Sequence, residues 1–273
     1  MHADVAIIGG TGVYDPAMLD SPQEVEIKTP YGTAKATVGT YHGKNIAFMP
    51  RHGAGHSIPP HKINYRANIY ALKKLGVTQV LATAAVGSLQ LQYKPGSLVV
   101  VDDFLDFTKS RPATFFEEDT VIHVDVSDPY CNRLRKILMD TGQAQGIHLH
   151  DGGTYVCSEG PRFESPAEIK LYQSFGAAVI GMTSVPELIL AKEAELCYAT
   201  VCMVTNYGAG ISEHPLTHAE VVEEMSRNVS TIRDLFFTAI DTMDTHRGCL
   251  CSEAVGVETP LTGIDQNDED ALD

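Results

Sequence analysis

The chain reads as an α/β protein of one domain followed by an acidic tail. Six strand-like apolar runs alternate with helical patterns, which is how a central sheet flanked by helices is written in sequence. Three Ser/Thr-x-x-Glu signals open helices, and 273 residues at 44% hydrophobic are enough for one large core. No linker, repeat or low-complexity stretch interrupts the chain before residue 247, so the expected division is a domain over 1–248 and a largely disordered tail over 249–273.

In chain order, Val5–Ile8 is the first expected strand and Asn45–Met49 the second. His61 to Leu75 has apolar residues at helical spacing and closes at Gly76. Gln79–Thr83 and Ser97–Asp102 are further strands. Ser165-Pro-Ala-Glu168 is a capping box with proline at the first helical position, and Gly176 ends that helix. Ala177–Ile180 follows as a strand, Ser184-Val-Pro-Glu187 repeats the box, and Leu196–Val204 is a long apolar strand. Thr217-His-Ala-Glu220 opens the last helix, which runs to about Thr242.

The formal charge of −15 is misleading as a guide to partners. Residues 252–273 carry seven acids and no base, and the remainder stands at −8. That tail reads as solvating, and nucleic acid is excluded as a partner. No 18-residue apolar run exists, so no membrane span is expected, and the start lacks a basic, apolar leader, which points to the cytoplasm. Six cysteines, at 131, 157, 197, 202, 249 and 251, lack zinc-ligand spacing and are expected to be reduced thiols, Cys249-Leu-Cys251 included.

Several segments could hold an anion. Gly9-Gly-Thr-Gly12 follows the first strand and offers successive amides plus the Thr11 hydroxyl, whereas its spacing departs from the dinucleotide G-x-G-x-x-G. Arg51-His52 follows the second strand; Arg51 is either a surface arginine or a planar fork for phosphate oxygens. His52 and His56 have metal-pair spacing, but Gly53 and Gly55 break the helix such a pair needs. Small residues at Ala84 and Ala85 expose backbone amides, and Thr183 precedes a helix start. Thr11, Arg51, the Ala84 amide and Thr183 converge on one inorganic phosphate.

A second group faces a flat ligand. Met203-Val-Thr-Asn-Tyr-Gly-Ala-Gly210 ends a buried strand on Asn206, an amide that donates and accepts at once and that also suits a strand-ending turn. Gly160-Pro-Arg-Phe-Glu164 sets Phe163 to stack and Glu164 to accept from N–H groups, although Glu164 is equally a helix-start acid. His218 lies in the first turn of the last helix, as a neutral imidazole toward a ligand or as a solvent-facing residue.

Gly9-Gly-Thr-Gly12, Arg51-His-Gly53, Lys62-Ile-Asn-Tyr-Arg-Ala-Asn68, Glu159-Gly-Pro-Arg-Phe163 and Met182-Thr-Ser-Val-Pro-Glu187 together resemble the trimeric branch of the purine nucleoside phosphorylases, in its methylthioadenosine-phosphorylase-like subfamily. The resemblance covers the chain to about residue 245. It implies a single-domain nucleoside phosphorylase fold with a mixed, partly barrel-like sheet, and no metal or organic cofactor. By the same resemblance phosphate meets Thr11, Arg51, His52, Ala84, Ala85 and Thr183. Phe163, Met182, Asn206, Tyr207 and Gly208 meet the nucleoside, Asn206 and His52 are catalytic, and His123 reaches a neighbour's site in a trimer or a dimer of trimers.

Four positions depart from methylthioadenosine phosphorylases, which typically carry Asp at 206, Asp at 208, Ser at 164 and Val at 218. Asn206, Glu164 and His218 match the inosine- and guanosine-cleaving enzymes. The expected activity is phosphorolysis of 6-oxopurine nucleosides, with S-methyl-5′-thioinosine or S-methyl-5′-thioadenosine as alternative substrates. A non-catalytic nucleoside-binding module and a nicotinamide-dependent dehydrogenase are the rivals from other classes.

Overall fold

The computed structural model describes residues 1–10, 13, 18–118, 120–211, 218–244, 246–259 and 261–262, with backbone alone at 54 and 218–227. Eleven strands form one mixed sheet, with α1 to α5 packed on it. The strands are β1 (Val5–Gly9), β2 (Asp20–Thr29), β3 (Gly32–Tyr41), β4 (Lys44–Pro50), β5 (Gln79–Ser88), β6 (Leu98–Val100), β7 (Asp103–Phe107), β8 (Leu149–Asp151), β9 (Thr154–Ser158), β10 (Val179–Gly181) and β11 (Cys197–Tyr207). The helices are α1 (Tyr65–Lys74), α2 (Asn132–Gln145), α3 (Pro166–Ser174), α4 (Ser184–Glu193) and α5 (His218–Thr242).

β5 is the branch point. It pairs in parallel with β1 through Ala82, in parallel with β11 along its whole length, and antiparallel with β10 at Gly87 and Ser88. From β11 the pairing passes to β6, then β8, while β7 pairs β9 and β9 pairs β10. Because β6 runs on into β7 and β8 into β9 across sharp corners, this path returns to β5, which is the barrel-like part of the sheet. The corner is tied by Gly152 N–H to the Val100 carbonyl at 2.9 Å and by Gly153 N–H to Asp102 Oδ1 at 2.8 Å. Gly152 takes φ +81°, and a Cβ there would stand 2.7 Å from Asp102 Oδ2.

All six expected strands are present, with β5 and β11 longer than the apolar runs foretold. The hairpin β2–β3 went unread because β2 is largely exposed and charged, with Ile27 alone buried. α2 also went unread; it buries Leu134, Leu138, Thr141 and Gly142 along one stripe and ends on Gly146 in the left-handed region. The helix expected from His61 starts at Tyr65, where the Asn64 side chain caps the Ala67 N–H at 3.1 Å; Pro60–Lys62 forms a separate 3-10 turn.

The Ser165 capping box is present in full, with Pro166 at the first turn. The Ser184 box is not. The residue before a proline is pushed toward extended backbone, and Val185 sits at φ −115°, ψ 132°. Ser184 Oγ instead meets the Tyr130 hydroxyl at 2.8 Å, and Glu187 is drawn away to Arg51. α5 ends at Thr242 as expected; its proposed cap, Thr217, lies outside the described residues.

The boundary at 248 needs correcting in part. Leu250–Glu253 forms a 3-10 turn, Cys249 and Cys251 pack against buried side chains of β11 and α2, and Leu261 is buried in the main core. Hydrophobic contact, not charge, governs this stretch; residues 263–273 lie outside the described residues. Among the described residues no helix is long and apolar enough to cross a membrane.

A Gly152→Ala substitution forces a side chain into a left-handed corner against Asp102. It lowers the unfolding free energy by about 1–3 kcal/mol, read by urea denaturation.

Candidate active site

Among the described residues, Ala84 and Ala85 lie where β5 is left unpaired on one side. β1 stops pairing at Ala82 and β10 starts at Gly87, so the backbone of residues 83–86 has β11 on one flank and no strand on the other. β10 runs antiparallel to β5 with Ile180 opposite Gly87; continued outward, that register brings Met182 and Thr183 alongside Ala85 and Ala84. Thr183 is buried at the N-cap of α4 with its hydroxyl not used in capping, while its N–H donates to the Tyr155 hydroxyl at 3.3 Å. That extrapolated register sets Thr183 beside the backbone of Ala84 and Ala85 along one edge of β5.

Arg51 borders it, but not as a bare fork. Nε and Nη2 donate to the two carboxylate oxygens of Glu187 at 2.7 and 2.6 Å, and Nη1 donates to the Thr83 carbonyl at 2.8 Å. Tyr198 adds its hydroxyl to Glu187 at 2.7 Å. The ion pair is buried on both sides, with side chains 2% and 0% exposed. Burial alone would lower the Arg51 pKa; the Glu187 carboxylate outweighs it and holds the guanidinium above its ordinary value. Those bonds engage three of the five N–H groups, so Arg51 presents only part of the planar fork the sequence suggested.

His52 is held neutral. Desolvation, with smaller contributions from Arg51 and His56, lowers its pKa to about 4, and Nδ1 lies 2.9 Å from the Ile58 carbonyl. A carbonyl only accepts, so Nδ1 carries the proton and Nε2 is left as an acceptor. His56 stacks on it, ring centroids 4.1 Å apart, within a 3-10 turn over Ala54–His56. Among the described residues the two join no metal-ligand group.

On the other flank of β5, β11 carries a bulge. Val204 pairs with Val86 and Asn206 with Gly87, so Thr205 is the extra residue, and the bulge re-aims the strand end. Asn206 Nδ2 donates to the Tyr207 carbonyl at 2.9 Å, and the Thr205 hydroxyl lies 2.7 Å from Asn206 Oδ1. These partners fix which end of the amide is which. A Cβ on Gly87 would come within 3.3 Å of Asn206 Nδ2, and one on Gly208 within 3.0 Å of Ile169, so both glycines admit the amide and its loop. Tyr207 is half-buried, its hydroxyl 3.4 Å from the Leu91 carbonyl.

Glu164 is half-buried and accepts from Ser158 Oγ at 2.5 Å, which positions one carboxylate oxygen and leaves the other available. Met182 lies against Gly160, where a Cβ would meet its sulfur at 2.5 Å. Phe163 is 81% exposed and His123 is exposed, so the single chain encloses neither. Thr11 and the His218 side chain lie outside the described residues.

Two residues were missed by sequence reasoning. Arg111 is buried and reaches the carbonyls of Met182 and Val185 at 2.7 Å each and of Glu159 at 2.8 Å, tying the Gly160–Glu164 and Met182–Thr183 segments together. An isolated arginine in Ser110-Arg111-Pro112 gave no signal for this. Thr83, whose methyl group lies against Gly9, has a buried hydroxyl without a hydrogen-bond partner among the described residues. The cysteines also differ from expectation: Cys157 and Cys202 are separately buried thiols, but Cys131, Cys197, Cys249 and Cys251 converge, despite the absence of a metal-ligand spacing in the sequence.

Residues 4–241 match the model of the phosphorylase superfamily. The chain belongs to that superfamily. A Dictyoglomus turgidum protein named "Probable 6-oxopurine nucleoside phosphorylase" is 55% identical over 253 residues, 92% of this chain and 96% of its own length. A Methanothermobacter thermautotrophicus protein named "Probable S-methyl-5'-thioinosine phosphorylase" is 48% identical over 268 residues, 97% of this chain and 91% of its own. A solved methylthioadenosine phosphorylase from an antarctic soil metagenomic library superposes with a TM-score of 0.88 at 37% identity, covering 93% of this chain and 91% of that one. The phosphorylase fold expected from the motifs is therefore the fold found, and the protein is a pentosyl-transferring enzyme.

Glu187→Ala leaves the Arg51 guanidinium buried without its partner and lowers stability by about 3–5 kcal/mol, measured by chemical denaturation. The depressed His52 pKa makes that ring a source of stability above pH about 6.5 that is lost as pH falls toward about 4. In a histidine NMR titration the His52 signal accordingly stays that of a neutral ring at pH values where ordinary histidines have protonated.

Proposed function

We propose that this phosphorylase is selective for 6-oxopurine nucleosides, converting inosine and guanosine with inorganic phosphate to free base and ribose 1-phosphate in purine salvage. The observation that carries the reading is the Asn206 amide. With one Nδ2 hydrogen given to Tyr207 and one Oδ1 lone pair facing Thr205, it retains one donor and one acceptor, the complement of a purine O6 and a protonated N7. An aspartate there would set a carboxylate oxygen against the Tyr207 carbonyl.

In this mechanism a phosphate oxygen forms its bond to C1′ as the C1′–N9 bond breaks, and the departing electron pair is drawn into the purine. The reacting sugar has oxocarbenium character. N7 takes a proton from solvent, balanced by the one phosphate loses on becoming an ester; Asn206 accepts from N7–H and donates to O6, an interaction strongest as the base leaves, so it acts on kcat. Glu164 accepts N1–H through the oxygen not held by Ser158. Adenine would instead turn a lone pair toward Glu164, a mismatch of about 1–3 kcal/mol.

Phosphate is assigned to Thr11, Arg51, His52, the Ala84 and Ala85 amides and Thr183, with Thr83 Oγ1 as a further candidate. Phe163 stacks on the base, Met182 lies against the ribose, and Tyr207 and Gly208 shape the base end. His218 receives the 5′-hydroxyl. No metal or organic cofactor takes part in this scheme.

A homotrimer or dimer of trimers completes the site. Phe163 and the exposed segment around Val121 and His123 present apolar and imidazole groups that a neighbouring subunit would cover. Light scattering is expected to return three or six chain masses; a monomer would reject that part of the assignment.

The competing substrates are S-methyl-5′-thioinosine and S-methyl-5′-thioadenosine, the latter supported by the name of the solved relative. A phosphorolysis panel decides. Inosine and guanosine are expected to release base, with adenosine and methylthioadenosine about two decades poorer in kcat/KM. Asn206→Asp lowers kcat on inosine by about 10²-fold, and His218→Val moves preference toward 5′-methylthio substrates. Methylthioadenosine as the best substrate of the unaltered enzyme would overturn the reading.

A further inference from the structure

Four cysteines meet at the end of β11 remote from Asn206. Cys131 is the N-cap of α2, Cys197 opens β11, and Cys249 and Cys251 flank Leu250, itself 78% exposed. Their sulfur atoms all lie within 4.8 Å of one another, with Cys197 to Cys249 at 3.4 Å and Cys131 to Cys249 at 3.8 Å. Zinc bound by four thiolates at 2.3 Å requires sulfurs about 3.8 Å apart, the edge of the tetrahedron.

We propose that Cys131, Cys197, Cys249 and Cys251 form a structural site for one divalent zinc ion, which fastens the C-terminal segment to α2 and β11. Four protein ligands close the coordination sphere and leave no open position, as in structural rather than catalytic zinc sites. Binding exchanges thiol S–H bonds for Zn–S bonds and releases the protons to solvent.

The surroundings favour thiolate. The N-terminus of α2 points its unpaired amides at Cys131, a setting that favours the anionic sulfur a metal requires. The Arg133 guanidinium lies beside Cys197 and Cys249. It offsets part of the double negative charge of a zinc tetrathiolate. The framework exists before any metal binds: Cys131 N–H donates to the Tyr198 carbonyl at 2.8 Å, so two ligands are fixed by adjoining backbone. Gln79 donates to the Asp244 carbonyl at 3.1 Å and Arg247 to the Glu195 carbonyl at 2.7 Å, bringing Cys249 and Cys251 to them.

β11 spans ten residues from Cys197 to Asn206, about 30 Å, so the ion stands apart from nucleoside chemistry. The inference is therefore independent of the proposed substrate.

The full chain, purified under reducing conditions and freed of loose metal, is expected to hold about one zinc per chain by elemental analysis. Cobalt exchange gives a thiolate-to-cobalt charge-transfer band, and mercurial titration of the four sulfurs releases zinc to a colorimetric chelator. Cys249→Ser with Cys251→Ser, changes confined to the terminal segment, abolishes both signals and lowers Tm. Phosphorolysis measured below the new Tm keeps its kcat. Two results overturn the proposal: reduced full-length protein that holds no zinc and takes up neither zinc nor cobalt, or peptide mapping that finds these cysteines joined as disulfides in metal-free protein.

Discussion

The buried pair of Arg51 and Glu187 is the constraint on which the active region depends. Arg51 follows β4, Glu187 lies in α4, the Thr83 carbonyl belongs to β5 and the Tyr198 hydroxyl to β11, so one cluster locks four elements. Taking two charges out of water is costly, and a hydrophobic replacement of both would often be no less stable. What the pair supplies is placement: Glu187 holds the first turn of α4, and with it Thr183, against the open edge of β5. The irregular backbone at Val185 is tolerated because Arg51 and Arg111 grip the segment from both sides.

β11 carries a second organising role. Its regular part is fully buried and pairs with β5 on one side and β6 on the other, leaving it little freedom. Irregularity is confined to Thr205, where one extra residue turns the strand end and aims Asn206 past Gly87. The same bulge that shapes the turn therefore orients the amide. The Tyr207 carbonyl fixes the amide's donor end, so a place at the strand end is compatible with the ligand-reading role proposed for 206.

The legible parts of the sequence were those whose signal is local. Apolar runs such as Leu196–Val204 and the Ser165 box with Pro166 announce themselves within a few residues. β2 did not, because an exposed edge strand lacks an apolar stripe, and α2 did not, because two of its four buried positions are Thr141 and Gly142, which carry little apolar signal. Candidate residues were named where glycine or proline punctuates a strand end, as at 51–52, 160–164 and 182–183, whereas 84–85 lie inside β5. What they do to one another was not legible. Glu187 looked like a helix-start acid, Arg111 like any arginine, and Cys131, Cys197, Cys249 and Cys251 like unrelated thiols, since their meeting depends on the sheet and not on spacing.

The pairing of Arg51 bears on the chemistry assigned to that edge of β5. Its charge is matched locally by Glu187, and His52 is uncharged at neutral pH. Under the proposed function a phosphate there would meet hydroxyls, amides and an orienting guanidinium edge, and little uncompensated positive charge. That suits a nucleophile that must approach an electron-poor C1′: an anion neutralised by a bare arginine would be held firmly but made less nucleophilic, whereas one held by dipoles keeps its charge to stabilise the oxocarbenium as it forms. Under the proposed function, the same pair that fixes the fold around β5 leaves the phosphate reactive.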